Sequence, residues 1–158
     1  MALTPKRAAD SVTEMVEVVL PNDANPLGSV LGGKVMHLID IAGAIACHRH
    51  TRGLVVTAAV DGLQFLHPIK IGDLIILKAR VTCAFTTSLE VCVDVFCEEA
   101  LTGRRRQTSR AYLTFVAIAE GGKRVRVPPL LVETDEERRI AEEAHARRAE
   151  RLARRLKA

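Results

Sequence analysis

The chain has 158 residues, 48% of them hydrophobic but only 3% aromatic, and its 23 Lys and Arg against 19 Asp and Glu give a formal net charge of +4. That length fits one domain, or one domain with an appendage, built on an aliphatic core. The small positive surplus favours anionic partners without choosing between phosphorylated small molecules and nucleic acid. The opening MALTPKRAADS lacks the apolar run of a secretion signal, and no segment reaches the roughly 18 apolar residues of a membrane span. Cys47, Cys83, Cys92 and Cys97 form no CxxC pair. A cytosolic protein with reduced cysteines, no membrane segment, no disulfide framework and no zinc site is expected.

In chain order, Val12 to Leu20 reads as a strand, with Val12, Val16, Val18 and Leu20 on one face and Glu14 interrupting it. Pro21, Asn22 and Asp23 turn the chain, and the loop from Asn22 to Ser29 carries more turn chemistry than a plain connector requires. Val35 to Ala46 predicts a helix, ending near His50, that is hydrophobic on nearly every side and must be wrapped. Strands follow over Leu54 to Phe65, Asp73 to Phe85, Thr87 to Glu98 and Thr108 to Ile118. In the second of these, Ile75, Leu77, Ala79, Val81 and Cys83 alternate with Lys78, Arg80 and Thr82; in the third, Leu89, Val91, Val93, Val95 and Cys97 alternate with Glu90, Asp94 and Glu98. Their outward faces offer opposite charges for cross-strand pairs. Ala111, Leu113 and Phe115 share a face of the last strand. From Thr134 the chain is rich in Arg, Glu and Ala at i,i+4 spacing, opens on a Thr134–Glu137 capping box, and has a weak apolar stripe. The expectation is an α+β domain over residues 1–133, an antiparallel sheet able to curl around one buried helix, followed by an exposed charged helix over 134–158.

The chemistry centres on Asp40, the one formal charge between Lys34 and Arg49. A carboxylate in so apolar a helix is costly unless it is paired, hydrogen-bonded or used. A structural carboxylate held by a neighbouring strand or a subunit interface fits this position as well as a functional one. The functional reading draws on Gly32 and Gly33, about two helical turns upstream. There the first N–H groups of the helix lack intrahelical partners, and a ligand atom can approach without meeting a Cβ. Such a helix start stabilises a carbonyl oxygen that gains charge. His37, His48, His50 and His67 form no convincing ligand set, and His48 and His50 read as surface residues or cations near the helix C-terminus. Asp61, in a strand, reads as structural. Arg104, Arg105 and Arg106 read first as a solvated turn and second as a phosphate contact.

The run Asn25-Pro26-Leu27-Gly28, then Gly32-Gly33 with Asp40, then VVTAAVDGLQFLHPIKIGD, then Thr87-Ser88-Leu89 resembles the hot-dog acyl-CoA thioesterases over roughly residues 11–133. The nearest group is the bacterial single-domain YciA-like one related to brain acyl-CoA hydrolase. The resemblance implies a hot-dog fold, its sheet folded around the central helix and paired with a second copy, often assembled further as three dimers. It implies hydrolysis of fatty acyl-CoA to free acid and coenzyme A, with coenzyme A present as part of the substrate and no separate cofactor or metal. Asp40 would be general base or nucleophile. Asn25, from the partner subunit relative to Asp40, would position water or thioester, and the N–H of Gly32 or Gly33 would face the oxyanion. Lys70 and Thr86-Thr87-Ser88 would contact the pantetheine and nucleotide. Leu31 stands where Phe is common in the family, a change that bears on the acyl pocket.

Rival readings are weaker. Hot-dog dehydratases use a His and Asp pair, and no His holds the partner role here. An RNA-binding module would use the C-terminal helix and the arginine turn, yet that helix carries nearly as many acids as bases and base-stacking aromatics are missing. A non-catalytic acyl-CoA binding or regulatory protein shares most of the same residues, and turnover separates it from an enzyme.

Overall fold

The computed structural model describes residues 2–158. A short parallel pair, β1 (Lys6–Arg7) with β7 (Leu130–Leu131), ties the N-terminal arm to the segment before the last helix. Between them run β2 (Thr13–Val18), α1 (Gly32–Thr51), β3 (Leu54–Asp61), β4 (Leu74–Ala84), β5 (Ser88–Glu98) and β6 (Arg105–Ile118), and α2 (Asp135–Leu156) closes the chain. The five longer strands form one antiparallel sheet in the order β2-β4-β5-β6-β3, which leaves β2 and β3 as its edges.

The alternation in β5 and β6 puts Leu89, Val91, Val93, Val95, Ala111, Leu113 and Phe115 on the face that meets α1. From the helix, Val35, Leu38, Ile39, Ala42 and Ala46 complete that core. Gly43 sets the spacing, because a Cβ there would lie 3.0 Å from the Phe115 ring. The sheet wraps only one side of the helix: Met36 remains 46% exposed, and Asp40, Ile41, Ala44 and Ile45 are half-buried.

Several expectations are corrected in detail. Val12, Val16, Val18 and Leu20 do share a face, but it points outward, since Thr13 and Val19 are the buried residues of that segment and Met15 packs on the core. The strand expected to reach Phe65 ends at Asp61, where Gly62 turns the backbone at φ +67°. Cys83 leaves the inward set, because a bulge between Val81 and Cys83 rotates it toward α2, 3.5 Å from His145 Nε2. Lys78 stands opposite Asp94 in register, yet the acids of β5 are bound elsewhere. Arg110 of β6 holds Asp94 at 2.5 Å, Arg105 holds Glu98 at 2.9 Å, and Arg147 of α2 holds Glu90 at 2.7 Å. The broad guanidinium fork reaches carboxylates that a lysine across the ladder leaves free. His50 is buried rather than on the surface, its Nε2 2.8 Å from the Pro128 carbonyl. His48 is exposed, as expected.

Thr134 caps α2, its hydroxyl accepting the Glu137 N–H at 3.0 Å. The outer side of the helix is solvated, and its inner side is anchored more firmly than its weak apolar stripe predicts. Ala144 is fully buried, and the Arg147 guanidinium makes two bonds to Glu90, at 2.7 and 2.9 Å, while lying 3.6 Å from the centre of the Tyr112 ring. Arg151 holds Asp61 at 2.9 Å. All four cysteines are free and buried, and burial pushes the Cys83 and Cys92 thiols up to about 11. Among the described residues no helix is long and apolar enough to cross a membrane.

Candidate active site

Asp40 lies at the middle of α1, on the side the sheet leaves open, beside edge strand β3. Its Oδ1 accepts the Thr57 hydroxyl at 2.5 Å, and its Oδ2 has no hydrogen-bond donor among the described residues. Carboxylate and hydroxyl share a cavity of about 350 Å³ with Gly33, Met36, His37 and Leu63. The wall is thus largely apolar, with one oxygen tethered and the other free. Thr57 escaped sequence reading because a threonine in a β-branched strand needs no further explanation.

The glycine pair is divided between two cavities. Lys34 and Val35 N–H both return to the Leu31 carbonyl, and no side chain caps the helix start, so the first two amides, those of Gly32 and Gly33, have no helical acceptor. Gly33 lines the Asp40 cavity, where a Cβ would meet nothing within 4 Å. Gly32 lines a second cavity of about 370 Å³ with Phe65, whose ring would lie 3.3 Å from a Cβ at that position.

Asn25 stands in this second cavity, with Leu27, His67 and Ser109. Its Oδ1 accepts two amides of its own loop, Leu27 N–H at 3.0 Å and Ser29 N–H at 3.1 Å. That arrangement fixes the loop and leaves the side-chain NH2 to donate into the cavity. Within one chain, therefore, Asn25 and Asp40 open onto separate cavities.

The residues expected at coenzyme A also divide. Lys70 Nζ is 3.4 Å from Ser29 Oγ, beside the Asn25 loop. Thr87 and Ser88 line a third cavity, on the side of the sheet that carries α2, together with arginines of that helix. Thr86, at the same turn, is exposed, and its carbonyl accepts the Val127 N–H at 3.0 Å. Arg104, Arg105 and Arg106 are exposed near the β5–β6 hairpin, with Arg105 committed to Glu98. Among the described residues no group of three His, Cys, Asp or Glu side chains is placed to hold a metal ion.

A five-stranded antiparallel sheet wrapped on one long helix, with a carboxylate midway along that helix and bare amides at its start, has the hot-dog architecture. The thioesterase superfamily model matches residues 27–103. The uncharacterized acyl-CoA thioester hydrolase YkhA of Bacillus subtilis is 42% identical over 75% of this chain and 69% of its own length. A solved apo-hexameric acyl-CoA thioesterase superposes with a TM-score of 0.91 at 38% identity, covering 96% of this chain and 97% of that one. The Staphylococcus aureus acyl-CoA hydrolase, solved with butyryl coenzyme A and coenzyme A, superposes with a TM-score of 0.87 at 35% identity over 96% and 93% of the two chains. That enzyme has also been solved with an asparagine, an aspartate or a threonine replaced by alanine, at positions spaced along its chain as Asn25, Asp40 and Thr57 are here. Of the human cytosolic acyl coenzyme A thioester hydrolase, 30% identical, the chain spans 40%. The chain belongs to the thioesterase superfamily, among its hot-dog acyl-CoA thioester hydrolases.

Proposed function

We propose that this chain hydrolyses acyl-CoA to the free acid and coenzyme A, with Asp40 as general base. The observation that carries the reading is one cavity holding a carboxylate with a free oxygen, a threonine that fixes the other oxygen, and the unpartnered Gly33 amide. Asp40 Oδ2 takes a proton from water as the water oxygen attacks the thioester carbon. Charge gathers on the carbonyl oxygen and is met by the Gly33 N–H at the positive end of α1. Collapse of the tetrahedral intermediate breaks the carbon–sulfur bond, and the proton held by Asp40 passes to the departing sulfur, releasing the acid and the coenzyme A thiol and restoring the carboxylate. The reaction consumes water and needs no resident cofactor.

The active unit is two copies. Edge strand β3 exposes Leu54, Val56 and Val60 at 54%, 46% and 45%, alongside unpaired backbone groups. A second copy paired there covers the open side of α1 and brings the Asn25 cavity of one protomer to the Asp40 cavity of the other. The donated NH2 of Asn25 then orients the thioester or the water. The hexameric relative supports three such dimers per assembly, and the cytosolic human relative supports the same compartment. Residues 1–133 carry the hydrolytic machinery.

Thiol release from purified protein supplied with acyl-CoAs of several chain lengths tests this reading. Turnover dependent on Asp40 is expected. Tight acyl-CoA binding without thiol release would instead establish a regulatory binder.

A further inference from the structure

β3 serves both sides of the sheet, and one irregularity lets it do so. Successive residues of a strand point to opposite faces, so an unbroken β3 would present Val55, Thr57, Ala59 and Asp61 to α1. Instead Thr57 pairs with Phe115 and Ala59 with Thr114, which leaves Ala58 as the extra residue of a bulge. The phase changes there. Val55 packs on the core and Thr57 and Val60 line the Asp40 cavity, whereas Ala58 and Ala59 line the third cavity and Asp61 meets Arg151 of α2 at 2.9 Å. Without the bulge, the Asp61 carboxylate would turn toward Asp40 and Val60 would leave the cavity wall.

Little else restrains the bulged end of β3. It is an edge strand, and past Ala58 its pairing with β6 runs only through Ala59, Val60 and Asp61 before Gly62 turns the backbone at φ +67°. The side chains of Asp61 and Arg151 are each 17% exposed, so the pair is better shielded than a surface ion pair. Arg154, 3.9 Å from the same carboxylate, adds a weaker contact. Tyr112, in register with Asp61, carries the Arg147 guanidinium on its ring. α2 therefore grips β3 and its neighbour strand at one point.

We propose that Asp61 and Arg151 are positioning residues of the thioester site: by clamping the end of β3 to α2 they hold the bulge in phase and keep the Thr57 hydroxyl on Asp40. Neither side chain lines the Asp40 cavity; the pair acts through Thr57, whose hydroxyl bonds the carboxylate. The proposal rests on the acyl-CoA reading above and deepens it. The hydrolytic machinery lies in residues 1–133, yet its alignment depends on the C-terminal helix.

Two measurements test it on the full chain. Thiol release is compared in Arg151→Met and Asp61→Asn, each alone and each combined with Thr57→Val, with melting temperature and assembly size as controls. Each single variant should lower kcat about fivefold or more at unchanged KM, a small misplacement of a catalytic group being enough for such a loss. In the Thr57→Val background neither change should lower kcat further, because the hydroxyl they position is gone and residues acting through one another are not additive. Arg151→Lys, which keeps the ion pair, should recover most of the rate. The same fold-loss with and without the Thr57 hydroxyl would make the pair a plain stabiliser of the fold, and a raised KM at unchanged kcat would make Arg151 a substrate contact; either overturns the proposal. Hydrogen exchange read by mass spectrometry follows the clamp without turnover: amides of residues 57–61 should exchange faster in Arg151→Met, while those of β5 do not change. Wild type that releases no thiol but shows this response leaves the clamp standing and removes the hydrolase reading. Wild type that hydrolyses, with kcat and β3 exchange indifferent to the substitutions, removes the clamp.

Discussion

Thr57 and Asp40, 17 residues apart in sequence, meet across the gap between α1 and β3 with the hydroxyl 2.5 Å from the carboxylate. The bond fixes one carboxylate oxygen and aims the other into the cavity. Thr57→Val keeps the branched shape that suits the strand and removes the donor. It should lower kcat roughly tenfold or more with little loss of stability, since Thr57 is exposed. Thr57→Ser should restore most of the rate. A Val variant at full kcat would show that Asp40 needs no tether.

Asn25 has two separable parts. Its Oδ1 holds the Leu27 and Ser29 amides, and its NH2 faces the cavity. Asn25→Asp keeps the acceptor and removes the donor, so melting temperature should hold while activity falls. Asn25→Ala removes both and should also destabilise the loop by about 1–2 kcal/mol. An Asp variant as active as wild type would confine Asn25 to holding its loop.

Gly33 separates packing from chemistry. A Cβ there meets nothing within 4 Å, so Gly33→Ala should fold with unchanged or slightly raised stability, alanine being the better helix former. It should cost about tenfold or more in kcat by keeping the carbonyl oxygen from the amide. Undiminished turnover would exclude this amide from the oxyanion site.

The hold of α2 on the sheet is electrostatic. Glu90 is 1% exposed and also accepts the Thr82 hydroxyl at 2.6 Å, so Arg147→Met leaves its carboxylate with that one side-chain donor. A loss of about 3 kcal/mol is expected in denaturant unfolding, with much of it recovered by adding Glu90→Gln. A loss below about 1 kcal/mol would place the anchoring of α2 elsewhere.

Strand alternation and helix hydrophobicity made most of the fold legible, because β4, β5 and β6 each turn an apolar face to α1 and α1 turns one to them. What the chain hid were features local pattern does not encode. The bulge that turns Cys83 toward α2 changes the phase of a strand whose residues still alternate. The anchors of α2, Arg147 to Glu90 and Arg151 to Asp61, join residues 57 and 90 apart, so its surface looked solvated. At the site, Asp40 stood out because a charge interrupts an apolar helix. Thr57 did not, since threonine is ordinary in a strand. Lys70 and the Thr87–Ser88 turn lie at separate cavities of the single chain, Lys70 beside the Asn25 loop, a division that residue order does not encode.

The most direct measurement of the central claim is thiol release by Asp40→Asn, an isosteric change that keeps an acceptor for Thr57. The account predicts a fall of about a hundredfold or more in kcat, with melting temperature, assembly size and coenzyme A affinity preserved. Turnover within a few-fold of wild type by a folded, fully assembled variant would contradict it.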